Sequence, residues 1–102
     1  MERKIIDSWE DWEGNKYEVV KTELGATLYY KNGELHREDG PAIIDSDGAH
    51  TWMFEGKRHR VDGPAVTEPD GTEEWWEHGE YLGYTYLPWQ WERLLEKRDK
   101  KG

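Results

Sequence analysis

The sequence predicts a mainly β protein, an antiparallel meander of repeated β-hairpins followed by one C-terminal amphipathic α-helix. Three observations carry this expectation. Glu34-Leu35-His36-Arg37-Glu38-Asp39-Gly40-Pro41-Ala42 returns, shifted by 23 residues, as Lys57-Arg58-His59-Arg60-Val61-Asp62-Gly63-Pro64-Ala65. Dipeptides with glycine second punctuate the chain at Leu24-Gly25, Asn32-Gly33, Asp47-Gly48, Glu55-Gly56, Asp70-Gly71 and His78-Gly79. Between them stand short runs of β-branched and aromatic residues. Self-similarity at a fixed period of this size marks stacked supersecondary units. Asn-Gly and Asp-Gly favour the tight primed turns that join antiparallel strands, because both central residues need positive φ.

Composition sets the limits of that fold. Hydrophobic residues make up 34% of the 102 and charged residues 36%, with a mean hydropathy of −1.15, values that border on disorder. The seven Trp, six Tyr and one Phe argue for a folded chain, since each ring buries a large apolar area and disordered chains are poor in them. A net charge of −9 disfavours direct binding to nucleic acid or anionic lipid, both of which select clustered Lys and Arg. With no cysteine there is no disulfide, thiolate metal site or Cys nucleophile. Met1-Glu2-Arg3-Lys4-Ile5-Ile6-Asp7 lacks a signal-peptide apolar core, and no run is long enough to span a membrane. The expected location is the cytoplasm, or the host cytoplasm if the protein comes from a phage.

Lys4-Ile5-Ile6 reads as a first short strand. Ser8 to Gly14 is open between a turn and one helical turn capped by Ser8. The expected strands are then Tyr17–Thr22, Thr27–Lys31, Ala42–Asp45, His50–Glu55, Ala65–Glu68, Glu73–Glu77 and Tyr81–Tyr86, two to a repeat. Units fall at about 24–46, 47–69 and a truncated 70–86, so that residues 1–86 form the sheet. Residues one repeat apart lie about 10 Å from each other, on alternate strands. Tyr29, Trp52 and Trp75 form one such row, with Tyr30, Met53 and Trp76 on the opposite face. After Leu87-Pro88, the residues Trp89, Trp91, Leu94, Leu95 and Arg98 fall at helical spacing. Pro88 suits a first turn, and Lys97, Arg98, Lys100 and Lys101 suit the negative end of the helix dipole. Residues 87–102 are expected to be a helix packed on the sheet.

The unit, read as aromatic, two or three residues, Gly, Lys, Arg, His and later Asp-Gly, resembles the MORN (membrane occupation and recognition nexus) repeat. Trp52-Met53-Phe54-Glu55-Gly56-Lys57-Arg58-His59 is the closest stretch. The resemblance covers roughly residues 17–86 and implies successive hairpins stacked into one elongated, curved sheet. The family's Gly after the His is replaced by Arg37 and Arg60, with Gly-Pro-Ala following. This His-Arg-x-Asp-Gly-Pro-Ala variant looks like degenerate repeats of small phage and large-virus proteins.

The candidate chemical residues are weighed against structural roles. His36 with Asp39, and His59 with Asp62, could hold a metal or pass a proton. Ligand atoms must lie about 2.0–2.2 Å from one ion, whereas the two histidines start about 10 Å apart. The favoured reading is a structural turn motif, His36, Asp39, Gly40, Pro41 and His59, Asp62, Gly63, Pro64. In it each Asp accepts turn amides and each Gly supplies an unusual φ before Pro. Ser8 and Ser46 are the only serines, neither in a Gly-x-Ser-x-Gly setting, and no phosphate-cradling loop or His-Glu-x-x-His occurs. No catalytic residue, metal ligand or cofactor is assigned, and the chain is not expected to be an enzyme.

One amphipathic helix covers one sheet face, so aromatic residues on the other are left for a partner. The sequence therefore points to a protein-interaction module whose partner has a basic surface. Its site comprises Trp52, Trp75, Trp76, Glu73, Glu74, Glu77 and Glu80. A phage-type inhibitor of a host or defence protein is the sharpest form of that expectation. The alternative is a small protein that binds or sequesters nucleotides, using Arg37, Arg58 and Arg60.

Overall fold

Turn chemistry sets the path of the chain. The computed structural model describes residues 3–85, and there β1 (Arg3–Glu10) folds back on β2 (Lys16–Thr22), and β2 on β3 (Thr27–Lys31), in antiparallel ladders. Asp11 shapes the first turn by accepting the amides of Glu13 and Asn15 at 3.0 and 2.9 Å, and Gly14 closes it at a φ of 86°. The segment from Ser8 to Gly14 is thus the end of a strand followed by an Asp-led turn, with no helical turn.

The repeat begins at β3. The following elements are β4 (Glu34–Leu35), β5 (Ile43–Ile44), β6 (His50–Thr51), β7 (Met53–Phe54), β8 (Lys57–Arg58), β9 (Val66–Thr67), β10 (Glu73–Glu77) and β11 (Glu80–Thr85). The main sheet runs β1-β2-β3-β5-β6-β9-β10-β11, with β4 beside β3, while β7 and β8 form a two-stranded ladder. All pairings are antiparallel. The chain is mainly β, as its sequence predicts, and the helix expected from Pro88 onward lies outside the described residues.

Two strands per unit is too simple a description. One flank of β3 is shared between two short partners: Tyr30 and Lys31 pair with Leu35 and Glu34, whereas Thr27 and Leu28 pair with Ile44 and Ile43. Residues 36–42 leave the sheet between these pairings, opposite Tyr29. The Tyr29 carbonyl accepts the His36 amide at 3.0 Å, and its own amide donates to the Ala42 carbonyl at 2.8 Å. Trp52 stands in the same relation to His59 and Ala65, at 3.2 and 2.6 Å, which is why the expected strand His50–Glu55 divides at Trp52 into β6 and β7. The expected strands at 42–45 and 65–68 shrink for the same reason, since only the residues after the loop pair. At the hairpin tips Asn32, Glu55 and His78 take φ of 50°, 48° and 47°, each followed by a positive-φ glycine, the geometry that matches strand twist in a primed turn.

Register fixes the two faces. Val20, Leu28, Ile43, Thr51, Val66 and Glu74 pair in succession across the sheet and so share one face. On the other stands the row of Tyr29, Trp52 and Trp75, with Ala42 and Ala65 between the rings. Ala42, Ala65 and Trp75 are completely buried. Small residues between large ones leave room for the rings without overpacking, so few aliphatics are needed.

Candidate functional site

The repeated motif is built around its arginine. The Arg37 guanidinium lies 3.9 Å from the Tyr29 ring centroid, and Arg60 lies 4.1 Å from that of Trp52. In each loop Nε donates to the Asp two residues on, Arg37 to Asp39 at 3.3 Å and Arg60 to Asp62 at 3.1 Å. In each, Nη1 donates to the proline carbonyl, at 3.1 Å to Pro41 and 3.2 Å to Pro64. The arginine is therefore a strap that closes the loop over its own aromatic residue. Gly40 and Gly63 do not take positive φ. Their role is space, because a Cβ on either would stand 2.9 Å from the guanidinium carbon of Arg37 or Arg60. This corrects the expectation of an unusual backbone before proline. The carboxylates of Asp39 and Asp62 likewise meet arginine in place of turn amides. The amide acceptors are instead Asp47 and Asp70 of the Asp-Gly turns, which bind the Ala49 and Thr72 amides at 3.0 and 2.9 Å. The Thr72 amide bond holds the Asp70 carboxyl below its usual pKa.

The histidines join one unit to the next. His36 Nδ1 accepts the Glu55 amide at 3.0 Å, and His59 Nδ1 accepts the His78 amide at the same distance. Each ring thus holds the first residue of the following hairpin tip. The rings continue as a ladder in which His36 lies 4.7 Å from Phe54, Phe54 lies 5.7 Å from His59, and His59 stacks on His78 at 4.1 Å. His36 is buried, which lowers its pKa, helped by the Lys31 charge and opposed by Glu38, Glu55 and Glu34. Since Nδ1 accepts, the proton of the neutral ring sits on Nε2, which has no hydrogen-bond partner among the described residues. At the first unit this ladder ends differently: Asn32 donates its amide to the Lys16 carbonyl at 2.7 Å and accepts the Lys16 amide on Oδ1 at 2.9 Å.

Two grooves of about 390 Å³ repeat with the motif, one beside Tyr17, Tyr29, Arg37 and Asp39, the other beside Trp52, His59, Arg60 and Asp62. No cluster of three or more His, Asp or Glu able to hold a metal ion occurs among the described residues. His36 and His59 are placed by the motif in successive loops, each with a backbone amide on its Nδ1 and with Phe54 against both rings.

The third unit lacks the motif. Here Leu82, Gly83, Tyr84 and Thr85 replace His, Arg, the variable residue and Asp, and the chain continues as β11, with a bulge opposite Trp75 and Trp76. Cross-strand partners share a face, so Glu74 with Tyr84, and Trp76 with Tyr81, form one cluster. The Trp76 indole donates to Glu74 Oε1 at 2.9 Å and meets the Tyr81 ring edge-on at 5.2 Å, while the Arg58 guanidinium lies 4.9 Å from Trp76. Tyr81 and Tyr84 are 50% and 58% exposed, although the burial of the Tyr81 phenol, with the Glu74 charge, raises its pKa.

The structure separates the residues expected to bind a partner. Trp75 is completely buried, and its indole donates to Thr85 Oγ1 at 3.2 Å, so it belongs to the core and cannot anchor a partner in this conformation. Trp52 is half-buried under Arg60. Trp76, Glu73, Glu74 and Glu77 are partly exposed and Glu80 is exposed, all on the final hairpin. Sequence reasoning missed Tyr81 and Tyr84. The repeat offset could have found them, since they occupy the positions of Arg58 and Val61, outward places where an aromatic ring breaks the pattern. No protein-family model matches the chain, and no curated protein or solved structure is significantly similar to it.

Proposed function

We propose that this chain is a protein-interaction module, a MORN-like stack of hairpin units that receives the basic surface of a partner protein on its last hairpin. The observation that carries the reading is the cluster of Glu74, Trp76, Tyr81 and Tyr84 on one face of β10 and β11. Aromatic rings beside carboxylates suit lysine and arginine side chains, which gain both ion pairing and cation–π attraction. Glu77 and Glu80 pair at the hairpin tip on the opposite side and add negative charge to the hairpin that carries this face. Such a face competes for cationic groups that would otherwise meet phosphates, the basis for an inhibitor of a nucleic-acid-binding host or defence protein. The nucleotide alternative is weaker on geometry. Arg37 and Arg60 are already committed to rings, carboxylates and carbonyls of their own loops, and Arg58 lies over Trp76.

The test is association of the immobilised chain with a panel of nucleic-acid-binding proteins at low and raised salt. The on-rate should fall with salt and with reversal of Glu73, Glu74 and Glu77 to lysine, and Tyr81→Ala with Tyr84→Ala should speed dissociation. Binding that ignores salt and survives all these changes rejects the reading.

A further inference from the structure

The opposite end of the sheet carries a second surface. Strand β1 has only β2 as a neighbour among the described residues, so its outer backbone edge has no ladder there. All eight of its residues are exposed, including Ile5 at 56%, Ile6 at 55% and Trp9 at 48%. A long edge with exposed apolar side chains and no proline is a template for another strand. The bulge at Ile6, between the Ile5 and Asp7 pairings, divides that edge into two uninterrupted segments, Arg3 to Ile5 and Asp7 to Glu10.

The charge order identifies the occupant. Arg3 and Lys4 open the strand, whereas Asp7 and Glu10 lie in its second half. An antiparallel copy of the same strand reverses this order, so basic meets acidic at both ends of a two-fold pair. The faces agree as well. Arg3 and Glu10 pair with Thr22 and Lys16 and so lie on one face, whereas Lys4 and Trp9 pair with Lys21 and Tyr17 on the other. We infer that β1 is a self-association edge, pairing antiparallel with β1 of a second copy of this chain. In the register that avoids the bulge, Arg3 stands opposite Glu10 of the second copy, Lys4 opposite its Trp9, and Ile5 opposite its Ser8. Symmetry repeats each contact, giving two three-residue ladders on either side of a centre where Ile6 and Asp7 of the two copies meet. Lys4 then lies beside an indole and Arg3 beside a carboxylate, once the Arg3 guanidinium turns outward from the Tyr30 ring and hydroxyl that it meets in the single chain. The contact is isologous and closes on itself, so it makes a dimer and not a fibre. In that dimer the two β10–β11 faces lie at the far ends of a continuous sheet.

Two copies that each carry a charge of −9 repel at long range, so the measurement belongs at about 150 mM salt, where the screening length is about 8 Å. Sedimentation equilibrium of the full chain should give a mass that rises with concentration toward twice the monomer value. The Arg3→Glu/Lys4→Glu variant and the Asp7→Lys/Glu10→Lys variant should each raise the dimer dissociation constant at least tenfold. Mixed one to one they should restore a dimer of one copy of each, because an acidic strand then faces a basic one. All four side chains are exposed, so circular dichroism should show both variants folded. A wild-type chain that stays monomeric at several hundred micromolar overturns the inference, as do variants that dimerise like the wild type or a mixture that stays monomeric.

Discussion

The second and third units differ by one loop, and the loop decides what their aromatic residues do. Around Trp52, residues 59–65 leave the sheet, and Arg60 lies on the ring with its hydrogen bonds directed to Asp62 and Pro64. Around Trp75 no such loop exists, so the chain runs on as β11 and Thr85 takes the indole hydrogen. The consequence is a division of labour. Where the motif is present, a ring is strapped down within its own unit. Where it is absent, one tryptophan sinks into the core and the neighbouring rings, Trp76, Tyr81 and Tyr84, are left to face outward.

The largest test of this contrast is truncation of the two tryptophans. Trp75→Ala should destabilise the chain by about 3–5 kcal/mol in chemical denaturation, the range for emptying a buried aromatic site. Trp52→Ala should cost clearly less, because its ring is only half-buried. Equal losses would erase the distinction between a core ring and a strapped one.

The next largest effect is pH dependence at His36. The folded chain holds this ring neutral, so as pH falls below the ordinary imidazole value of 6.5 the unfolded chain takes up a proton first. Stability is full above that value and declines below it, by at most about 1.4 kcal/mol per pH unit, levelling once the folded ring also titrates. Urea denaturation from pH 7.5 to 5 should show this slope, and His36→Phe, which cannot titrate, should remove it. An unchanged slope in that variant would move the effect to other groups.

These contrasts also show what the sequence could carry. Periodicity and glycine dipeptides made the antiparallel hairpins and the Tyr29, Trp52 and Trp75 row legible, because strand alternation and turn φ are local. The division of the first unit into one five-residue and two two-residue strands, and of the second into four two-residue strands, was not, since it depends on which residue a seven-residue loop straddles. The burial of Trp75 was hidden for a related reason. Its place in the row matches Tyr29 and Trp52, and only the missing Arg at Gly83 signals a different environment. Asp39 and Asp62 looked like turn acceptors because Asp often is, whereas their real partner, two residues upstream, follows from the arginine's stack on a distant ring.

Smaller effects follow from exposure. Tyr84→Ala should change stability by no more than about 0.5 kcal/mol, as for other exposed positions, while a partner bound at β10–β11 dissociates faster. The side chains of Asp39 and Asp62 are 89% and 82% exposed. Asp39→Ala should therefore cost below about 1 kcal/mol, the range of solvent-exposed ion pairs, and not the larger penalty of stranded turn amides. A loss of 2 kcal/mol or more in thermal or urea melts would restore the amide-acceptor role.

The claim that the motif is an arginine strap is tested most directly by a double-mutant cycle on Gly63 and Arg60. Gly63→Ala places a methyl group where the Arg60 guanidinium lies, so it should displace the strap and cost about as much as Arg60→Ala alone, roughly 1–2 kcal/mol. In the Arg60→Ala background the same glycine change should cost almost nothing. If Gly63→Ala is equally damaging with and without Arg60, the glycine serves the backbone and the strap account is wrong.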